Sequence, residues 1–222
     1  MTRVRLTVET AKGVVLADRT KLLSEYIKES PCTLCFKDLG PQVGWKTVFL
    51  VEYAGPILIT GLLLAFRKQI YKTELNLSFR QKLGVGMVLL HYVKRELETL
   101  FVHRFSSETM PLMNIFKNSA HYWLLFGVCN MYFFLKPSEA KSKNFDTVMM
   151  CCFLIFEFLN LKTHLVLKNL RKEGSTERGI PRGWGFDQVS SANYLWESCA
   201  WLSFALLAKI WGAWAFLIFS FI

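Results

Sequence analysis

The feature that most constrains this chain is the gathering of its apolar residues into long runs. Residues 46–66, 83–101, 119–135 and 147–167 are dominated by them, and after Tyr194 the chain is apolar to Ile222 with only Glu197 and Lys209 charged. A helix needs about 20 residues to cross the roughly 30 Å hydrocarbon layer of a membrane. In lipid only helices and closed barrels satisfy their own backbone hydrogen bonds. The runs therefore predict an all-α polytopic membrane bundle of about five to six transmembrane helices over residues 45–222. The tail is expected as one long tilted helix or as two short ones with a turn near Gly212. Composition agrees, since 52% of residues are hydrophobic, 15% are aromatic and mean hydropathy is +0.27, more than a soluble domain of this length carries.

Residues 1–44 differ in kind. They hold short β-branched runs, a Lys12-Gly13 turn, the helical stretch RTKLLSEYI and a second strand-like stretch CTLCF. A small α+β cap is expected here. It lacks the charged-then-apolar pattern of a signal peptide, so the cap is expected in the cytosol. The loop at 168–188 then lies on the same side after four crossings, and Arg67, Lys68, Lys72, Arg80 and Lys82 face the lumen.

The net charge is +10, but the cations are spread over the cap and the loops and form no nucleic-acid motif. Anionic lipid headgroups or a phosphorylated cofactor are the expected partners, not nucleic acid. Cys32 and Cys35 form a CxxC, yet on a strand a spacing of three sends them to opposite faces, and no second pair completes a zinc site. His91, His103, His121 and His164 are scattered and form no histidine box, so no metal is expected. A Gly-rich dinucleotide fingerprint is also missing. Any nucleotide must be held outside a Rossmann fold.

Charge inside an apolar helix is costly and marks function by default. In HYVKRELETLFVHRF, His91, Lys94 and Glu98 share one helical face, while Tyr92, Glu96, Thr99 and His103 line a neighbouring one. One reading is an amphipathic helix with an ordinary Lys94–Glu98 pair; the other is a polar cavity between helices. The loop LKNLRKEGSTERGIPRGWGF carries Lys168, Arg171, Lys172, Arg178 and Arg182. Such a set serves either headgroup contact or phosphate recognition, for which the guanidinium fork is suited. At VSSANYLWES, Asn193 and Glu197 share a face and Tyr194 points about 100° away. An interfacial aromatic belt explains Trp184, Trp196 and Trp201 but not Asn193 and Glu197.

HYVKRELETLFVHRFSSETMPLMNIFKNSAHYW resembles the signature of the very-long-chain trans-2-enoyl-CoA reductases, members of the steroid 5α-reductase superfamily. LKNLRKEGSTERGIPRGWGFDQVSSANYLWE is similar to that superfamily's cofactor loop and its Asn-Tyr-x-x-Glu motif, and FKDLGPQVGWKTVFLVEYAGP to the family's entry into its first membrane helix. The cap resembles the back half of a ubiquitin-like domain. The resemblance implies NADPH-dependent reduction of the C2=C3 double bond of a very-long-chain trans-2-enoyl-CoA, the last step of each fatty-acid elongation round. Hydride goes to C3 and a proton to C2. It implies Tyr194 as proton donor and Lys94 as a second essential residue. Asn160, Arg171, Arg178, Asn193 and Glu197 would line the cofactor site, with His91, Glu98 and His103 in the substrate cavity.

The physics fits that implication. Hydride addition builds negative charge on the thioester oxygen and C2, so a cation or donor and an acid are needed nearby. Lys94 would favour the Tyr194 phenolate if their helices touch. An endoplasmic reticulum membrane location is implied, with membrane lipids and the condensing enzyme, ketoacyl reductase and dehydratase of the elongation cycle as partners. The family's His-x-x-Tyr and Tyr-Pro-x-x-Arg tail does not follow FLIFSFI, and the cap lacks its front half. A copy truncated at both ends is the corresponding expectation. A catalytically inactive paralogue or scaffold of the elongase complex, and a sterol or polyprenol reductase of the same superfamily, are the alternatives.

Overall fold

The computed structural model describes residues 2–10, 12–16, 21–27, 29, 31–73, 76–105, 109–138, 142–170 and 179–220. Strand β1 (Thr2–Val8) lies antiparallel to β2 (Leu34–Gly44), with Val4 opposite Asp38 and Val8 opposite Leu34. The expected Lys12-Gly13 turn forms. The Val8 N–H donates to the Val14 carbonyl at 3.0 Å and the Gly13 N–H to that of Thr10 at 2.9 Å. A Cβ at Gly13 would fall 1.9 Å from the Val8 carbonyl oxygen, so only glycine fits there. Helix α1 (Leu23–Tyr26) forms within the stretch RTKLLSEYI expected to be helical, and Lys21, Leu22 and Ile27 of that stretch lie outside it.

Strand β3 (Thr109–Pro111) completes the sheet in the order β1-β2-β3, pairing Gly44 with Thr109. The last residues of β2 are thereby tied to the chain far downstream. The backbone passes directly from strand to helix at Gly44, the N-cap of α2 (Trp45–Ala65).

The rest is helical: α3 (Arg67–Tyr71), α4 (Phe79–Phe101), α5 (Met113–Ser119), a π-helical stretch at Ala120–Asn130, α6 (Met131–Phe134), α7 (Lys143–Asn169), α8 (Ala192–Ala208) and α9 (Trp211–Phe219). Helices α2 and α7 are long and apolar enough to cross a membrane, with hydropathies of 1.9 and 1.6. They give the chain its membrane character. Helix α4 has the length, 23 residues, but carries six charged side chains. It starts on a capping box in which the Ser78 hydroxyl accepts from the Gln81 N–H and the Gln81 side chain from the Ser78 N–H.

The tail adopts the two-helix alternative, with its break at Lys209 rather than Gly212. Lys209 takes the left-handed conformation at φ 54° and its N–H donates back to Ala205 at 3.0 Å, which ends α8 as a helix C-terminus commonly ends. Gly212 instead lies inside α9 against Asn130, where a Cβ would meet the carboxamide oxygen at 2.8 Å.

Aromatic rings hold the bundle together. Trp201 of α8 packs on Phe126 at 4.8 Å and Phe216 at 5.1 Å between centroids, and Tyr92 of α4 closes the cluster at 5.8 Å. Edge-to-face pairs of this kind each add about 1 kcal/mol to the area they bury. Helix α2 is pinned by Trp123, whose indole N–H donates to the Val51 carbonyl at 2.9 Å. These contacts bring α4 and α8 together beside α2, and α7 packs along both α4 and α8.

Candidate functional site

Helices α4 and α7 carry the same polar spacing. His91, Lys94 and Glu98 stand on one, Glu157, Asn160 and His164 on the other, each at offsets of three and seven. The two sets interlock in order. His91 Nδ1 lies 2.7 Å from Glu157 Oε1 and Lys94 Nζ 2.7 Å from Glu157 Oε2. The Lys94 ammonium also donates to Asn160 Oδ1, and His164 Nδ1 lies 3.0 Å from Glu98 Oε2. Because lower numbers meet lower numbers, the helices run parallel at this seam. The stretch HYVKRELETLFVHRF holds more than an ordinary ion pair, since Lys94 and Glu98 stand 3.7 Å apart but each has a closer partner on α7. His91, Lys94 and Glu98 close a packed seam between the helices, and of the expected cavity residues His91, Glu98 and His103 it is His103 that lines the cavity.

Helix α8 is attached to the same seam. Asn160 Nδ2 donates to the Asn193 carbonyl at 2.9 Å, and His91 Nε2 lies 3.8 Å from Glu197 Oε1. The loop before α8 is held by the Trp196 indole N–H on the Trp184 carbonyl at 2.7 Å and by the Gly183 N–H on Asp187 at 2.8 Å. Residues far apart in sequence are thus fixed on neighbouring turns.

A cavity of about 580 Å³ opens beside them, lined among others by Tyr53, Arg95, His103, His164, Asn193, Tyr194 and Glu197. Its size lies within the roughly 300–1,000 Å³ of small-molecule and cofactor sites. Tyr194 stands at its mouth, 66% exposed. Lys94 faces away, towards Glu157 and Asn160. Its neighbour Arg95 faces the cavity instead, and donates from Nη1 to Glu98 at 2.8 Å and from Nη2 to the Tyr53 phenol oxygen at 2.9 Å. His103 lies in the loop after α4, and its imidazole is pushed down to about 4, first by burial and then by the charges of Arg95 and His164. It lines the cavity as a neutral ring. Arg171 and Arg178 lie outside the described residues.

Sequence spacing led to His91, Lys94 and Glu98 but passed over Glu157 and His164, although the same offsets on α7 mark them. Arg95 was hidden beside Lys94 in the same motif. Tyr53, inside an apolar run, had no sequence signal at all.

Glu98, His103 and His164 offer ligand atoms within 4.8 Å of one another. The Arg95 guanidinium already stands 2.8 Å from Glu98 and 3.3 Å from His164. Positive charge at this cluster is supplied by the chain itself.

The donor set suits a dinucleotide. Arg95, Arg104 and Lys168 provide cations around the cavity, Asn193 an amide, and Trp45, Phe49 and Phe105 an aromatic wall. Within that wall Phe49 stacks on Phe105 at 5.5 Å and on Tyr53 at 5.8 Å.

Residues 108–222 match the 3-oxo-5-alpha-steroid 4-dehydrogenase family. A putative enoyl reductase of Schizosaccharomyces pombe is 45% identical over 216 residues, which are 96% of this chain and 73% of that protein. A very-long-chain enoyl-CoA reductase of Dictyostelium discoideum is 38% identical over 221 residues, 96% of this chain and 73% of its own length. A probable very-long-chain enoyl-CoA reductase of Caenorhabditis elegans is 36% identical over 210 residues, 89% and 68% respectively. With the Asn193-Tyr194-x-x-Glu197 turn facing a cavity between apolar helices, this chain belongs to the very-long-chain enoyl-CoA reductases of the steroid 5α-reductase superfamily.

Proposed function

We propose that this chain reduces the C2=C3 double bond of very-long-chain trans-2-enoyl-CoA with NADPH, as the closing step of fatty-acid elongation. The observation that carries the reading is the convergence of Asn193, Tyr194 and Glu197 with Arg95, His103 and His164 on one cavity at the end of an apolar bundle. One substrate is a lipid chain and the other comes from water. A site where helices full of charge meet helices full of lipid-compatible side chains suits both.

When bound, the dinucleotide supplies a hydride. Arg104 and Lys168 would hold its phosphates together with Arg171 and Arg178, while Asn193 and Glu197 would fix its amide or ribose. Tyr194 gives its phenolic proton to C2 from the cavity mouth. Lys94 acts one layer back: through Asn160 it holds the Asn193 carbonyl and thereby sets the pitch at which Tyr194 is presented. The aromatic wall of Trp45, Phe49 and Phe105 excludes water where charge develops, which strengthens every polar contact inside.

The α4, α5–α6 and α8–α9 segments cross the membrane beside α2 and α7 in this reading, giving about five to six crossings with the sheet-bearing cap of residues 1–44 as a ubiquitin-like remnant in the cytosol. The endoplasmic reticulum, with the other elongation enzymes as neighbours, is the setting that the substrate demands. The test is NADPH oxidation by the chain in lipid nanodiscs, with a long trans-2-enoyl-CoA in one arm and a steroid enone in the other. Oxidation driven by the thioester alone is expected. Oxidation driven by the enone alone would make the chain a steroid reductase, and none in either arm would remove the assignment.

A further inference from the structure

Reduction of an enoyl thioester needs two different protein groups, and the proposed Tyr194 supplies only one of them. Addition of hydride at C3 pushes the C2=C3 electron pair towards C1, and the carbonyl oxygen becomes an enolate oxygen. C2 then takes a proton from Tyr194 as the carbonyl re-forms, and water returns a proton to the phenolate. Between those events the oxygen must be held by a donor that keeps its own proton.

We propose that Tyr53 is that donor and binds the thioester oxygen of the substrate. The inference rests on the reductase reading above. Tyr53 stands on α2, 2% exposed, in the wall of the same cavity as Tyr194. Its oxygen accepts a hydrogen bond from Arg95 Nη2 at 2.9 Å, and the Arg95 guanidinium carbon lies 5.0 Å from its ring centroid. A phenol has one hydrogen to give. Arginine has none to accept, so that hydrogen points elsewhere, and among the described residues no protein acceptor takes it.

The surroundings fix this arrangement. Arg95 is held from behind by Glu98 at 2.8 Å, and Glu98 by His164 at 3.0 Å. The guanidinium cannot turn away without leaving Glu98. Phe49 stacks on the Tyr53 ring at 5.8 Å and Tyr122 meets it edge-on at 5.5 Å, so the ring has one orientation and a dry flank. A neutral phenol polarised by a fixed cation and shielded from water is the donor that an enolate oxygen requires.

The test uses trans-2-enoyl-CoA labelled with 13C at the carbonyl, bound to the full chain in nanodiscs without NADPH and read by difference infrared spectroscopy. In the unaltered chain the carbonyl stretch is expected below its solution frequency. In Tyr53→Phe most of that displacement disappears, and kcat falls about 100-fold, the usual loss for one oxyanion donor, while KM for the enoyl-CoA changes far less. A Tyr53→Phe chain with the original stretch and the original kcat would overturn the inference. Should that variant not fold, 3-fluorotyrosine at position 53, a stronger donor of the same shape, is expected to lower the stretch further; an unmoved stretch would overturn the inference equally. Failure of the underlying reading shows earlier and separately, as an unaltered chain that oxidises no NADPH with enoyl-CoA.

Discussion

The two ends of the helical bundle both bury charge, and they bury it differently. Beside the cavity, His91, Lys94, Arg95 and Glu98 of α4 meet Glu157, Asn160 and His164 of α7 in a network that continues through Tyr53 into open space. At the other end of α4, Arg80 donates from Nε to both oxygens of the fully buried Asp146 at 3.1 and 3.2 Å, and the Gln81 carboxamide donates to the Phe134 and Lys136 carbonyls at 3.0 and 2.7 Å. That second set is closed. These bonds fix α4 to α7 and to the end of α6, and neither Gln81 nor Asp146 lines the 580 Å³ cavity. What separates the two sets is that the first has one side facing the 580 Å³ cavity.

The sharpest way to break that contrast is at the cavity mouth. Tyr194→Phe removes only a hydroxyl from a residue that is 66% exposed and, among the described residues, anchors no neighbour through it. Turnover should fall about 100- to 10,000-fold, the usual worth of a positioned acid, with NADPH affinity nearly unchanged by fluorescence titration. Normal turnover would mean that the proton reaches C2 from another group.

Next come two buried carboxylates of α7, one from each of the two sets. Glu157→Gln leaves His91 and Lys94 without their shared anion, and Asp146→Asn does the same to Arg80. Breaking a buried pair costs about 3–5 kcal/mol, so both variants should melt earlier in nanodiscs. They should differ in activity. Glu157→Gln is expected to lose roughly 100-fold in kcat/KM, because Lys94 and Asn160 no longer hold Asn193 and a small displacement of a positioned group costs about that much. Asp146→Asn should keep the activity of each folded molecule. Equal activity losses in both would mean that the two ends are not distinct.

The sequence made one side of this contrast legible and not the other. Period and length marked the helices because lipid admits few alternatives, and charge in an apolar helix drew attention to His91, Lys94 and Glu98. What spacing does not show is which neighbour each side chain meets. Lys94 and Arg95 are adjacent in the chain, yet a rotation of about 100° per residue sends one into the α7 seam and the other to the cavity. The break at Lys209 rather than Gly212 has the same origin, since glycine marks a turn only where its freedom is used and here it makes room for Asn130. Tyr53 was invisible for a related reason: a tyrosine in an apolar run becomes a candidate only once Arg95 is seen beside it.

The smallest effect tests the cavity end through pH. His103 titrates at about 4 in the folded chain and near 6.5 when unfolded. Between those values the unfolded chain binds the extra proton, and stability falls as pH falls wherever that holds. Part of the folding stability should therefore be fully present above pH 6.5 and lost as pH drops towards 4. Glu98, Arg95, His164 and Glu197 surround the same ring and carry their own charge into any pH profile. A His103→Asn chain keeps those neighbours and removes only the imidazole. The difference between the two melting curves at pH 7.5 and pH 5 isolates its share: the unaltered chain should lose more of its melting temperature on acidification than the variant. If the two fall in parallel, His103 is not held neutral against the Arg95 charge, and the cavity end loses the polarity on which its contrast with the Arg80–Asp146 end depends.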